Sequence, residues 1–402
     1  MIAWADRRGG VVDRLYRPRS IAIAAMAISA LGFLIVLPPI TQRSPLWPVV
    51  LGIIGTLCGI AAVTRGVKRL GWLAVALGIV SMGLGILATE SSVGHLNNVV
   101  VWSALLASML RYATPLTFAA IGGIFSERSG VVNIGLEGMM LTGAFFGIAV
   151  VGWTGQWELG LLGAMLGGGV LALIHAFFSI HLRADQIVIG TAINFLALGV
   201  TGFLFRSIYG TRGTPELEER IPTVSVPLLK DIPFVGDVIG EMSLMIWLAI
   251  LLVIVAAIVL FRTPIGLRLR AVGEHPRAAD TVGISVFRIR YAAVIVSGML
   301  AALGGAYLSF GFGAAFNENM TIGKGFIGLA AMIAGNWRPF PTFAVCLLFG
   351  FSEGLARRLQ NEADISVNLL QTLPYIITLI ALVGIIGRSR PPAAVGRPYV
   401  KQ

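Results

Sequence analysis

Residues 243–261 of this 402-residue chain are SLMIWLAILLVIVAAIVLF, a stretch without a single charged side chain. A helix of that length rises about 28 Å, close to the roughly 30 Å hydrocarbon core of a bilayer. Comparable stretches lie at 21–40, 46–63, 70–88, 111–126, 134–151, 159–181, 187–205, 291–312, 340–356 and 370–387, and a shorter one lies at 322–335. We therefore predict an all-α fold, a polytopic transmembrane helix bundle of about 11–12 spans that includes short or broken helices.

The composition of the whole chain supports a membrane protein. Hydrophobic residues make up 56% of the sequence and charged residues only 12%, about half the charged share of ordinary soluble domains. A soluble fold could not cover so much apolar surface with so few charges. The composition excludes a soluble enzyme, a nucleic-acid-binding protein and a disordered chain, although the net charge is +11.

Patterns that would indicate catalysis or metal binding are missing from the sequence. Cys58 and Cys346 lie far apart in apolar runs, which excludes a disulfide framework and favours two buried thiols. The four histidines show no ligand spacing, and no phosphate-binding loop or nucleophile–base pair is visible. We predict no catalytic residue, no metal site and no bound cofactor, so the energy for any pumping comes from a partner or an ion gradient.

The basic residues predict the orientation. They cluster in four segments, namely 7–19, 65–69, 262–290 and 388–401, whereas the connection after residue 88 and the acidic segment 206–242 lack such clusters. Lys and Arg favour the cytoplasmic side, so we expect both termini and all four clusters to be cytoplasmic. This arrangement needs twelve crossings, and stretch 322–335 must count as one. Residues 97–110 either extend the fourth span or lie along the surface. We expect a surface helix, because it places Arg111 at the interface.

The distribution of polar residues divides the chain. Spans before residue 95 are almost purely apolar, whereas those after residue 110 carry polar groups at membrane depth. We therefore predict an accessory unit of three transmembrane helices at 1–95, a working domain at 96–390 and a cytoplasmic tail at 391–402.

The segment SERSGVVNIGLEGMM, residues 126–140, interrupts two apolar stretches with polar residues and glycines. Asn133 and Glu137 are four residues apart and share a face if helical. Broken helices at membrane depth occur where they meet protein or a water-filled path, so one interpretation is a substrate pathway. The alternative is a cytoplasmic loop with a helix–helix hydrogen bond. Asn194 and Asn336 are further pathway candidates, although the first is also typical of helix packing and the second of an interface anchor.

The cytoplasmic stretch 262–290 contains a short helix signal. Pro276 suits the first turn of a helix and Gly283 the position just past its end. A helix of about six residues carrying Ala278 and Ala279 offers small side chains to a groove on another protein. The alternative is an ordinary basic loop that anchors the topology.

Four ordered runs resemble one known family. They are YATPLTFAAIGGIFSERSGVVNIGLEGMMLTGAFFG (112–147), AVGEHPRAADTVGISVFRIRYAAVIVSGMLAALGGAYLSFG (271–311), GKGFIGLAAMIAGNWRP (323–339) and LLQTLPYIITLIALVG (369–384). The chain is similar there to permease subunits of bacterial ABC importers of the nucleoside or simple-sugar type, within the branched-chain amino acid/ribose-like permease superfamily. The resemblance covers roughly residues 105–390; permeases of this type begin near residue 100, so the N-terminal unit is a departure.

The resemblance implies a role for each block. Residues 274–283 would be the coupling helix that docks on an ATPase, with Ala278, Ala279 and Gly283 spaced as in the EAA-type loop and Arg277 in place of its first Glu. Contacts to the ATPase would come from Glu274, Arg277, Ala278, Ala279, Asp280 and Gly283. The substrate pathway would include Asn133 and Glu137.

The resemblance also implies the function and the partners. The chain would move nucleosides across the bacterial cytoplasmic membrane by alternating access, in contact with membrane lipid and without nucleic acid. ATP and Mg²⁺ would bind separate ATPase subunits; the other partners are a second homologous permease, identical or different, and an extracytoplasmic lipoprotein. Alternatives are a permease for a pentose or another simple sugar, a purely structural or assembly membrane protein, and a gradient-driven secondary transporter. The latter needs an acidic relay, for which Glu137 and Glu353 are the candidates within spans.

Overall fold

The computed structural model describes residues 18–36, 46–90, 102–210, 212–214, 221–230, 235–362, 372 and 390–401. The chain forms two compact units, one of Met1–Leu105 with Ala356–Ile385 and one of Leu106–Leu355 with Ile386–Gln402. The predicted division at residue 95 stays a prediction.

Three helices make up the described N-terminal part of the first unit: α1 (Pro18–Val36), α2 (Leu46–Thr64) and α3 (Lys68–Glu90). They pack through small residues. The Ser29 hydroxyl donates to the Ala74 carbonyl on α3 at 2.8 Å, and Ser81 donates to Pro48 at 3.1 Å. Gly52, Gly55 and Gly59 are buried on α2. Small side chains and hydroxyls are the usual means of helix association in lipid.

The remaining elements begin with α4, which starts in the first unit and continues into the second. In chain order they are α4 (Trp102–Arg128), α5 (Leu136–Thr154), α6 (Trp157–Ala176), α7 (Gln186–Tyr209), β1 (Thr223–Ser225), α8 (Pro227–Lys230), α9 (Val235–Ile239), β2 (Glu241–Ser243), α10 (Leu244–Arg262), α11 (Pro264–Glu274), α12 (Pro276–Thr281), α13 (Val286–Ala306), α14 (Lys324–Ala334) and α15 (Pro339–Glu362). Helices α6 and α13 continue as π-helical turns, Phe177–His181 and Tyr307–Phe312. The two strands pair antiparallel, with Val224 opposite Met242.

The predicted membrane-spanning bundle is confirmed. Within the described residues, eight helices are long and apolar enough to cross a membrane: Leu46–Thr64, Trp102–Arg128, Leu136–Thr154, Trp157–His181, Gln186–Tyr209, Leu244–Arg262, Val286–Phe312 and Pro339–Arg358. Helices α1 and α3 lie where the first and third spans were predicted. The predicted span 370–387 lies outside the described residues except for Thr372.

The prediction of a surface helix before Arg111 is wrong. Helix α4 runs without interruption from Trp102 to Arg128, although Pro115 lies inside it; residues 97–101 of the predicted surface helix lie outside the described part of the chain. Its 27 residues rise about 40 Å, which exceeds the hydrocarbon thickness by about 10 Å. Because the helix is longer than the core, no break is needed to keep Arg111 away from the centre of the membrane.

The short stretch 322–335 forms α14, only eleven residues long. The contacts of the residues before and after α14 show which parts of the bundle this stretch of chain connects. Glu318 pairs with Arg206 at 2.8 Å, near the C-terminal end of α7. After α14, the Trp337 carbonyl accepts from Arg128 Nε at 3.1 Å, at the C-terminal end of α4.

These two ends lie on opposite sides of the bundle. Gln186, which begins α7, accepts from the Val132 amide just after α4, so α7 starts beside the end of α4 and finishes a helix length away. The non-helical residues 313–323 and helix α14 together therefore join the Arg206 end of the bundle to the Arg128 end. Bends and turns at 313–323, followed by this short helix, thus connect the two ends of the bundle as the predicted topology requires.

Candidate translocation and coupling sites

The break between α4 and α5 is built by the SERSG residues. The Ser126 hydroxyl donates to the Val131 carbonyl at 2.8 Å, and Ser129 donates back to the Ser126 carbonyl at 2.6 Å. Gly130 has a φ of +95°, which glycine adopts without a steric penalty. The chain then runs without helical structure to Gly135 before α5 begins. The sequence therefore places a non-helical, largely buried segment between two spanning helices.

Glu137 stands at the start of two helices. It lies in the first turn of α5, and its Oε1 accepts from the Thr321 hydroxyl at 2.6 Å and the Gly323 amide at 2.8 Å. Its Oε2 accepts from the Gly325 amide at 2.6 Å, in the first turn of α14. A carboxylate at helix N-termini is stabilised by the helix dipoles and the free amides there. The three bonds occupy a side chain that was predicted to face the pathway.

Gly325 shows how closely these two helices approach. A Cβ atom on Gly325 would lie 2.6 Å from the Glu137 amide nitrogen and Cα, a distance that real side chains do not adopt. The glycine is therefore required for the carboxylate to reach the start of α14.

Asn194 on α7 binds the broken segment through both ends of its amide. Its Nδ2 donates to the Ile134 carbonyl at 3.0 Å, and its Oδ1 accepts from the Gly138 amide at 2.8 Å. These backbone groups flank the first residue of α5 and would otherwise lack partners in a buried environment. These two hydrogen bonds are what the helix-packing interpretation of Asn194 predicts.

Asn133 retains unused hydrogen-bonding capacity. It is fully buried, and its Nδ2 donates to the Ser297 hydroxyl at 3.0 Å and contacts the Met139 sulfur at 3.5 Å. Its Oδ1 has no hydrogen-bond partner among the described residues. A buried acceptor without a partner is costly, so this oxygen is a position where a polar ligand or water gains a favourable bond.

Asn336 lies in a different place. Asn336 and Trp337 both adopt left-handed backbone conformations, with φ of +55° and +52°. The turn is held by Arg128, which donates to both carbonyls, and by Glu127, which accepts from the Trp337 indole at 2.7 Å. The Asn336 Oδ1 accepts from the Arg390 amide at 2.9 Å. The structure therefore groups Asn133, Glu137 and Asn194 around the break, and puts Asn336 in a turn at the Arg128 end.

The two acidic residues of a possible proton relay are both engaged. Glu137 binds the groups described above, and Glu353 pairs with Lys324 Nζ at 3.3 Å with both side chains largely buried. The pairing gives no support to a relay between them.

The coupling segment has the predicted short helix. Helix α12 begins at Pro276 and ends at Thr281; Gly283 then adopts a φ of +81° and its amide donates to the Asp280 carbonyl at 2.9 Å. Ala278 is exposed, whereas Ala279 is only 3% exposed and packs inward. The two alanines therefore do not share a free face.

The other predicted coupling residues surround α12. Glu274 ends α11, is exposed, and accepts from the Ala393 amide at 3.1 Å. Arg277 and Gly283 are exposed and Asp280 is half-buried. Val282, which the sequence analysis did not select, is 73% exposed. An exposed surface thus remains on α12 and the two residues that follow it, formed by Arg277, Ala278, Val282 and Gly283.

Sequence reasoning also missed Arg290 and Thr321. Both are buried and polar, and both bind groups more than 100 residues away. The available signal for Arg290 was an arginine in the first turns of a largely apolar helix, but the nearby Arg288 makes it indistinguishable in sequence from the rest of a cytoplasmic basic cluster.

Comparison of the sequence with known proteins identifies the family of this chain. Residues 105–383 match the family described as branched-chain amino acid transport system / permease component. The chain is 43% identical over 314 residues to the guanosine ABC transporter permease protein NupQ of Bacillus subtilis, covering 75% of this chain and 98% of the relative. It is 41% identical to the nucleoside ABC transporter permease protein NupC of Lactococcus lactis, over 76% of this chain and 99% of the relative.

A third relative has a different stated substrate. The putative glucose ABC transporter permease protein TsgC13 of Haloferax volcanii is 36% identical over 70% of this chain and 91% of its own length. No solved structure matches the chain. The family match includes the break at α5 and the coupling segment, and it leaves residues 1–104 and 384–402 outside. The chain therefore belongs to the ABC transporter permease family of the branched-chain amino acid type, whose members are transport components rather than enzymes.

Proposed function

We propose that this protein is the permease subunit of an ATP-driven importer of nucleosides. The observation that carries the proposal is the similarity of this chain to two permeases whose names specify guanosine or nucleosides, a similarity that covers almost the full length of both relatives. Glucose or another simple sugar is the second candidate, favoured by the 36% identity to the glucose permease relative. Either substrate is neutral and rich in hydroxyl groups.

The permease is a multi-pass protein of the cytoplasmic membrane and works with ATPase and substrate-binding subunits, as its family does. We infer that both termini are cytoplasmic and that a second permease, identical or different, completes the pathway. The ATPase would dock on the exposed face of α12. Its movement on binding ATP would shift α12 and open the pathway alternately to each side.

We place the pathway at the break before α5. A neutral substrate needs hydrogen-bonding groups more than fixed charge, and the unpartnered Asn133 Oδ1 is such a group. Glu137 and Asn194 act there by holding the broken backbone in position. Asn336, in its turn at the Arg128 end, would mark the cytoplasmic end of the pathway.

The test is uptake by the complete complex in proteoliposomes with ATP inside, measured for guanosine, cytidine, ribose and glucose. We expect uptake of the nucleosides and not of the sugars. Asn133→Ala should lower uptake about tenfold, because loss of one buried hydrogen bond costs about 1.4 kcal/mol.

The matched control is Ser297→Ala, which removes the hydroxyl that accepts from Asn133 and leaves the Oδ1 in place. It should lower uptake clearly less than Asn133→Ala does, because the Oδ1 that would bind the substrate is retained. Uptake of sugars alone would overturn the nucleoside assignment, and equal uptake by both variants would overturn the placement of the pathway at Asn133.

A further inference from the structure

The C-terminal segment 390–401 lies beyond the family match, which ends at residue 383, yet its backbone binds residues inside the matched region at four points. Backbone amides make each contact. Ala394 donates to the Gly273 carbonyl at 2.9 Å and Ala393 donates to the Glu274 carboxylate at 3.1 Å, both at the end of α11. Gly396 donates to the Gly130 carbonyl at 3.2 Å, and Arg390 donates to Asn336. The segment thus touches the coupling region, the SERSG turn and the Asn336 turn.

Arg290 connects two of these places from inside the protein. Only 1% of its surface is exposed, and no carboxylate pairs with it in the part of the chain that the structure describes. Its Nε donates to the Ser129 carbonyl at 3.2 Å and its Nη1 to the Arg397 carbonyl at 3.0 Å. A buried guanidinium without a counter-ion depends on such carbonyls, so both partners are held in place.

Tyr399 connects the segment to α12. Its ring packs edge-on against Phe287, with centroids 5.6 Å apart, and it is buried in one cluster with Val272, Ala279 and Val286. Burial raises the pKa of Tyr399, as do the hydrogen bond that its hydroxyl donates to the Asp280 carboxylate and the charge of that carboxylate, so the side chain is neutral at physiological pH. The inward face of the coupling helix therefore rests partly on the C-terminal segment.

Helix α12 needs such support because it has only six residues. A helix this short is not stable by itself and is held by its tertiary contacts. Helix α12 can transmit movement only if it is held rigidly to the element that it moves. The C-terminal segment provides such a connection, because it links α12 to the SERSG turn, which leads into the break before α5.

We propose that residues 390–401 are part of the coupling apparatus, with Tyr399 and Arg290 as positioning residues that hold α12 rigidly to the SERSG turn. The proposal rests on the function proposed above. Without the Tyr399 ring, the ATPase would still dock on the exposed face of α12, but less of its movement would reach the pathway.

The experiment measures nucleoside transported per ATP hydrolysed by the complete complex in proteoliposomes, together with the ATPase bound per permease. Tyr399→Ala should lower the number of nucleosides transported per ATP about fivefold or more, which is the lower end of typical allosteric coupling effects. The bound ATPase should be unchanged. Val400→Ala, which alters an exposed neighbour in the same segment, should keep the ratio. Tyr399→Phe keeps the ring and loses only the hydroxyl bound to Asp280, so it should lower the ratio less than Tyr399→Ala.

A segment that merely stabilises the fold would lower the yield of complex and leave the ratio unchanged, and that result would overturn the proposal. If Tyr399→Ala does not assemble, Tyr399→Leu is measured in the same way, since leucine preserves apolar burial without the ring. If the number of nucleosides transported per ATP is unchanged in Tyr399→Leu, the proposal is overturned; if it is lowered, the proposal is supported. Failure of the proposed function has a different signature, because the unmodified complex would then bind no ATPase or transport no nucleoside.

Discussion

Burying the Glu137 carboxylate is acceptable because three donors and two helix N-termini face it. An isolated carboxylate in an apolar interior would be strongly destabilising or would become protonated. Here the Thr321 hydroxyl and the amides of Gly323 and Gly325 surround both oxygens. The residue therefore serves the junction of α5 and α14, and its chemistry is that of a fixed cap.

Glu137→Gln should destabilise the complex by about 2 kcal/mol, the loss of a charged hydrogen-bond acceptor. The amide nitrogen introduced by glutamine would face one of the donor groups that the carboxylate binds. Thr321→Val is the matched variant, because it removes one donor and nearly preserves shape; its cost should be about 1 kcal/mol. The melting temperatures of the purified complexes in detergent measure the two destabilisations. Equal decreases in melting temperature for Glu137→Gln and Thr321→Val would contradict the assigned role of Glu137.

The sequence could indicate that Glu137 is unusual but not what it binds. Asn133, Glu137 and the interleaved glycines predict a polar break at membrane depth from spacing alone. The partners of Glu137 lie more than 180 residues further along the chain, in a segment whose non-helical course has no periodic signal. Long-range pairing of this kind depends on the tertiary arrangement, which residue patterns within one stretch do not contain.

At the scale of elements, hydropathy located the spans well because the bilayer fixes both their length and their apolar character. It failed at Arg111, where one charge suggested a boundary that a long helix does not need. It was equivocal for α14, where half of the crossing is non-helical. The preferences of proline for a first turn and of glycine for the position past a helix end predicted the bounds of α12 from Pro276 and Gly283. The burial of Ala279, in contrast, depends on a cluster that includes the distant Tyr399.

The exposed face of α12 makes a specific prediction for docking. Ala278→Arg places a long charged side chain on that face and should abolish co-purification of the ATPase, because a bulky charge in a packed interface costs several kcal/mol. The control is Ser225→Arg, at an exposed position in β1 near the Arg206 end. It should retain the ATPase; retention by both variants would exclude α12 as the docking element.

For the whole molecule, the described path of the chain bears on the predicted number of crossings, whereas the orientation stays a prediction. The predicted topology requires an element at 322–335 that joins the two ends of the bundle, and residues 313–338 do so. The C-terminal segment binds at the Arg128 end, together with α11 and the Asn336 turn. The proposed orientation would place this Arg128 end of the second unit in the cytoplasm.

Cysteine labelling tests that orientation. In a Cys58→Ala background, in which Cys346 is fully buried, Ser225→Cys should react with a membrane-impermeant maleimide in intact cells. Lys401→Cys is exposed at the other end and should react only after the cells are opened. Labelling of Lys401→Cys in intact cells would reverse the proposed topology.

The contacts of the C-terminal segment also set an order of events during synthesis. Gly130, Gly273, Arg290 and Asn336 all leave the ribosome before residues 390–401, so for most of translation their binding partners do not yet exist. The support beneath α12 is completed only when the last of these residues emerges. A chain that stalls before that point would reach the membrane with its spans inserted and its coupling helix without the Tyr399 ring beneath it.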